Sequence, residues 1–231
     1  IFTIFQDKKG YMWFGTNSGA VRYNGREMKA IGAMQGLTDN CVRAINQDSA
    51  GIIYMATSNG VAIYDRDTII DQLFTGSAFH SIFVDEFNSK WFIGNDGIYI
   101  LSQYGSQRHL NKDFPLLPNT IYCIEEDTNT GDKYIATSEG VYYYSAESNQ
   151  MFRLTNDDSY SLFIDINDSI WISSKKGLFF GGIQDLKTGN FEKRSKNLNH
   201  ILNFSNNIIK NISTNKYGSV WLVSDSKVMQ V

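Results

Sequence analysis

The stretch Gln6-Asp7-Lys8-Lys9-Gly10-Tyr11-Met12-Trp13-Phe14-Gly15-Thr16-Asn17-Ser18-Gly19 decides the fold, because its parts recur down the chain. An aromatic residue followed six positions later by glycine returns as Trp13/Gly19, Tyr54/Gly60, Trp91/Gly97, Tyr134/Gly140 and Trp171/Gly177. Those glycines lie 41, 37, 43 and 37 residues apart, so length varies between units and not within the pair. A sixth, degenerate unit carries Trp221, with Lys227 in the place of the glycine. Six residues before the aromatic stands Asp7, Asp48, Asp85, Asp165 or Asn215, and Asp127 stands seven before Tyr134. Asp and Asn cap tight turns with their own side chains, and the glycine that closes most of these turns supplies a positive φ. In 85–88 and 165–168, Asn88 and Asp168 take the place of glycine, as the next best residues at that conformation.

Short alternating segments surround these turns, at 42–47, 79–84, 121–126, 160–164 and 209–214 before them, and at 11–15, 53–56, 90–93, 133–136, 170–173 and 220–223 after them. A third segment follows each glycine. A more charged fourth segment follows in most units, as in 26–31, 69–74 and 151–154. Arg26, Glu27, Lys29, Asp71, Arg108, Lys112, Glu192 and Lys193 give this fourth segment the character of an exposed edge strand. Four short strands per unit with a period near 40 are the signature of an all-β fold, a β-propeller of four-stranded antiparallel blades. The expected blades are 1–33, 34–76, 77–112, 113–155, 156–200 and 201–231, within one propeller domain. The six repeats are expected to be part of a seven-bladed ring, which would take roughly 280–300 residues when intact. The interval from Trp171 to Trp221 is 50 residues, and its surplus in 181–207 reads as an insertion projecting between blades.

One branched aliphatic per unit (Ile4, Ile45, Ile82, Ile124, Leu162, Ile212) suits the interface between blades, and the preceding small residues (Thr3, Ala44, Ser81, Cys123, Ser161, Asn211) let innermost strands approach closely. The strict register of Trp13, Trp91, Trp171 and Trp221 makes them structural rather than ligand platforms. Cys41 and Cys123 are too few for a disulfide framework and read as buried small hydrophobes.

Composition narrows the function. The net charge of −3 argues against a general nucleic-acid binder, and no apolar run approaches the length of a membrane helix. The chain opens on Ile1-Phe2-Thr3-Ile4, an alternation typical of a strand interior, and both ends read as cut from a longer polypeptide. His80, His109 and His200 form no metal-binding pattern, and neither a nucleophile elbow nor a phosphate cradle is present, so no catalytic, metal or cofactor site is expected. Glu125-Glu126-Asp127 alternate across a strand, and Asp157-Asp158 read as a solvated loop.

Repetition itself points to one end of the innermost strands. Asn40, Ser77, Asn119, Asp157 and Asn207 fall eight residues before the acidic position and are expected to ring its mouth. Three residues on come Phe2, Arg43, His80, Tyr122, Tyr160 and Lys210, where a propeller interior would favour apolar side chains. The candidate ligand-binding set is Asn40, Arg43, His80, Asn119, Tyr122, Tyr160, Asn207 and Lys210: aromatics to stack on sugar rings, cations and amides for hydroxyl or acidic groups. The competing reading is that the asparagines cap turns and the larger side chains fill blade interfaces.

The opening stretch, with Gly36-Leu37-Thr38-Asp39-Asn40-Cys41-Val42-Arg43-Ala44-Ile45, resembles the two-component regulator propeller repeat, G-L-x-x-N-x-V-x-x-I-x-x-D-x-x-G-x-x-W-x-G-T-x-x-G-L. The resemblance loosens later, where Gly15-Thr16 becomes Ala56-Thr57, Ala136-Thr137, Ser173-Ser174 and Val223-Ser224. It implies the periplasmic sensor region of a bacterial hybrid two-component system, in which propellers precede a β-sandwich, a membrane helix and a histidine kinase. In gut Bacteroidetes such regions are associated with sensing oligosaccharides. The partners it implies are an oligosaccharide ligand, neighbouring periplasmic domains of the same chain and a second copy in a homodimer, with no nucleic acid and no insertion of this segment into the membrane. Two alternatives stand beside it: a structural, protein-interaction propeller that docks a partner or dimerises, and a glycan-active propeller enzyme.

Overall fold

The repeat folds as hairpins because each spaced turn reverses the chain after a short alternating segment. The computed structural model describes residues 1–165, 167–199, 208–214 and 219–231. Its contacts fall into two compact units, Ile1–Asn119 and Thr120–Val231.

The first unit holds three antiparallel four-stranded sheets, each a meander in chain order. They comprise β1 (Thr3–Gln6), β2 (Met12–Thr16), β3 (Gly19–Tyr23) and β4 (Met28–Ile31); β5 (Val42–Gln47), β6 (Ile53–Thr57), β7 (Gly60–Asp65) and β8 (Thr68–Leu73); and β9 (Phe79–Val84), β10 (Lys90–Gly94), β11 (Gly97–Leu101) and β12 (Gln107–His109). A single helical turn, α1 (Leu110–Asp113), follows and contains Lys112, which is therefore not on a fourth strand. The second unit holds β13 (Ile121–Asp127), β14 (Asp132–Thr137), β15 (Gly140–Ser145) and β16 (Gln150–Arg153), then β17 (Ser159–Ile164), β18 (Ser169–Ser174) and β19 (Gly177–Gly182). Helices α2 (Ile183–Lys187) and α3 (Phe191–Arg194) intervene before β20 (Lys196–Asn197) closes the fifth sheet, which places Glu192 and Lys193 on a helix instead of an edge strand. The sixth sheet, β21 (Ile209–Thr214), β22 (Val220–Ser224) and β23 (Val228–Gln230), has three strands among the described residues. These sheets are the blades of a β-propeller.

The fixed spacing of six has a hydrogen-bonding cause. Asp7 Oδ1 accepts the backbone N–H groups of Lys9 and Tyr11 at 2.9 Å each, while Asp7 Oδ2 accepts the Trp13 indole N–H at 2.8 Å. Trp91 donates likewise to Asp85 Oδ2 at 2.9 Å, and the Tyr54 hydroxyl to Asp48 Oδ2 at 3.2 Å. One carboxylate thus closes the turn and fixes the aromatic of the next strand, which stays buried between blades (Trp13 is 1% exposed). The fifth blade departs from this: the Trp171 indole N–H is buried with no hydrogen-bond partner among the described residues. Asn88 and Asp168 do adopt the left-handed turn conformation, with φ of 60° and 55°.

The aliphatic row packs as expected from Ile45 to Ile212, all buried, whereas Ile4 is exposed. The small residues do more than permit approach: Cys123 Sγ and Ser161 Oγ each accept a backbone N–H from the following blade, Leu162 and Ile212, at 3.2 Å. Both cysteines are free and half-buried, not fully buried, and burial pushes the Cys123 thiol up to about 12. The insertion does not simply project. Ile183, Leu186 and Phe191 join the core that holds Tyr134, Leu162 and Ile172. Lys187 Nζ donates to Asp132 Oδ2 at 3.1 Å, the oxygen that also accepts the Tyr143 hydroxyl at 2.7 Å, and sits 4.7 Å above the Tyr143 ring.

Candidate functional site

Five of the eight candidate residues share one backbone feature that the strand reading missed. Pairing of the first strand with the second slips by one residue between Val42 and Ala44, Phe79 and Ser81, Ile121 and Cys123, Ser159 and Ser161, and Ile209 and Asn211. Arg43, His80, Tyr122, Tyr160 and Lys210 are the five extra residues of these β-bulges. A bulge leaves its extra residue out of the ladder and re-aims its side chain. Val42, Phe79, Ile121, Ser159 and Ile209, one residue earlier, are buried to 2% exposure or less, while the bulge residues are half-buried or exposed. The signal lay in the sequence as apolar residues three apart (Val42/Ile45, Phe79/Ile82, Ile121/Ile124), an odd interval that an unbroken strand cannot bury on one face.

In the first unit, the Arg43 guanidinium lies 5.6 Å from the ring centre of Phe2, an exposed residue, and its Nε reaches Ser58 Oγ at 3.4 Å. Burial, helped by the Arg43 charge, holds the His80 imidazole below its usual value, so it is neutral at pH 7. Asn40 and Asn119 are exposed and engaged in loop structure. Asn40 Oδ1 accepts the Ala33 N–H at 2.9 Å, and Asn119 Oδ1 accepts from Asn111 Nδ2 at 3.2 Å. Ser77 donates to Asp96 Oδ2 at 3.1 Å.

In the second unit, the rings of Tyr122 and Tyr160 lie 5.5 Å apart at 56° and flank the carboxyl of Asp158. Burial, then the Asp158 carboxylate, pushes both phenols above their usual range, so both keep their protons. Asp158 Oδ1 is buried with no hydrogen-bond partner among the described residues, which corrects the reading of Asp157-Asp158 as a solvated loop. A buried carboxylate oxygen without a donor costs free energy that an arriving hydroxyl would recover. Lys210 is exposed and paired with Asp225 at 2.5 Å. Asn207 lies outside the described residues. Two ring faces beside a buried carboxylate oxygen that lacks a donor are the groups a polyhydroxylated ring would engage: the aromatics cover its C–H face and the carboxylate, once reached, takes a hydroxyl hydrogen.

Comparison with known proteins fits the repeat. Residues 1–18 match the family described as Two component regulator propeller. The opening stretch is thus similar to a two-component regulator propeller repeat. No curated protein matches the sequence significantly. Among solved structures, the extracellular domain of BT4673 from B. thetaiotaomicron, described as a hybrid two component system, superposes with a TM-score of 0.77 at 19% identity, over 99% of this chain and 31% of that one. The corresponding domain of BT3049 from the same organism gives 0.72 at 23% identity, over 95% of this chain and 32% of that one. The chain therefore spans about a third of the length of these domains. Virginiamycin B lyase from Staphylococcus aureus is also similar, with a TM-score of 0.69 at 12% identity over 97% of this chain and 77% of the lyase. At such identities the likeness carries the propeller architecture and not the ligand.

Proposed function

We propose that this chain is a ligand-sensing propeller in the periplasmic region of a membrane-anchored sensor, where it binds an oligosaccharide, or relays its binding, to an attached histidine kinase. The propeller catalyses no reaction of its own. The two-component regulator repeat at residues 1–18 and the similarity to extracellular domains of hybrid two component systems support the sensor role. The observation that carries the sugar as ligand is the Tyr122–Tyr160 pair around the unpaired oxygen of Asp158. A sensor works when its ligand has different affinities for two states of the assembly. Bulge side chains on the innermost strands suit this role, because they can gain contacts without disturbing the blade core beneath them.

An oligosaccharide array probed with the purified chain, followed by calorimetry on the best binder, tests the reading. Tyr160→Ala and Asp158→Asn are expected to weaken binding by about tenfold or more, equivalent to about 1.4 kcal/mol, with the glycan recovered intact. Unchanged affinity in both variants removes the site, and turnover of the glycan removes the non-catalytic role. A chain that binds only a protein partner favours the interaction-scaffold alternative.

A further inference from the structure

The second unit contains a cavity of about 220 Å³ that the bulge residues do not line. Phe191 and Ser195 of the fifth blade's insertion supply part of its lining. Ile172 and Phe179 of that blade form its apolar wall, and Phe191 of α3 closes over them. Gly181 makes the seating possible, since a Cβ there would stand 2.8 Å from the Phe191 ring. Ser195, just after α3, also lines the cavity, and its Oγ is buried with no hydrogen-bond partner among the described residues. Asp157 and Lys176 stand at the rim, paired at 2.6 Å, their side chains 27% and 60% exposed.

Each feature selects against a class of ligand. Apolar walls gain from burying hydrocarbon and lose if they desolvate hydroxyls, which disfavours a sugar. A fatty acid would satisfy Lys176 and leave the Asp157 carboxylate without a partner. A neutral hydrocarbon would leave Ser195 Oγ unpaired. We propose that this cavity is a binding site for a free α-amino acid with an apolar side chain. The side chain fills the space between Ile172, Phe179 and Phe191. The α-carboxylate exchanges Asp157 for itself as partner of Lys176 and accepts from Ser195 Oγ–H, and the α-ammonium pairs with Asp157. Charge-assisted bonds of this kind in a partly desolvated rim confer selectivity for the zwitterion. The cavity shares no lining residue with the Tyr122–Asp158–Tyr160 patch, so the chain would respond to two chemically different molecules.

Calorimetry of the 231-residue chain with L-leucine, L-isoleucine and L-phenylalanine tests this, with N-acetyl-leucinamide and hexanoate as controls. One apolar amino acid is expected to bind, with neither control matching its affinity. Lys176→Ala and Asp157→Asn, rim changes that leave the core untouched, are each expected to weaken binding about tenfold. Tyr160→Ala is expected to leave it unchanged, which separates failure here from failure of the glycan site. Absence of binding by all three amino acids, equal binding of either control, or full affinity in both rim variants overturns the proposal.

Discussion

Gly140 shows how tightly a single position of the repeat is constrained. Its φ is +140°, and a Cβ there would lie 2.1 Å from the carbonyl oxygen of Thr155, a backbone atom that cannot swing aside. Gly10 has φ +86° and open space around it, so it answers only to the conformational requirement. Gly10→Ala is therefore expected to cost about 1 kcal/mol, and Gly140→Ala about 3 kcal/mol or more, in urea unfolding followed by tryptophan fluorescence. Equal costs would mean that only backbone strain fixes the glycine six residues after the aromatic. The acidic residue six before that aromatic is different in kind: its spacing was visible in the chain, but its role as joint acceptor for turn amides and the Trp13 or Trp91 side chain was not. Spacing reports that two residues are coupled, whereas only geometry names the bond.

Strands were legible to within a residue or so because short alternating runs between spaced turns admit little else. The bulges were not, since a reading of unbroken alternation places Arg43 and Tyr122 on a face their strands do not present. Likewise the charged residues Lys112, Glu192 and Lys193 suggested an edge strand, yet composition cannot distinguish a solvated edge from a short solvated helix. The insertion shows the same limit: its length was plain, but its docking depends on Ile183, Leu186 and Phe191 meeting a core assembled from other segments. Lys187 is its polar tether. Lys187→Ala is expected to lower stability by about 1–2 kcal/mol, the scale of a charge-assisted hydrogen bond, and to speed amide exchange across α2 and α3 while β13 stays protected. Uniform loss of protection across the second unit would instead make the tether part of the core.

Across the chain, two half-buried ionisable groups pull stability in opposite directions with pH. Burial raises the Glu125 carboxyl from 4.5 to about 7, so the folded protein holds this proton more tightly than the unfolded one. Its contribution is full below the unfolded value and is lost as pH rises through about 7. His80 is held low by burial and by Arg43, so its contribution is full above its unfolded value and is lost as pH falls. Glu125→Gln is therefore expected to stabilise the protein at pH 8 by roughly 1–3 kcal/mol and to flatten the alkaline side of the profile. An unchanged slope between pH 5 and 8 would place the Glu125 carboxyl in water.

The repeat builds a ladder, and one slipped residue in each of five blades turns a side chain out of it, the place proposed for the ligand. A crystal structure of the chain with its tightest-binding oligosaccharide tests this most directly. A sugar ring stacked on Tyr122 or Tyr160, with a hydroxyl within hydrogen-bonding distance of Asp158 Oδ1, is the result expected. A glycan seated on the fourth strands or the Asp7-type turns, with the tyrosine pair untouched, would contradict it.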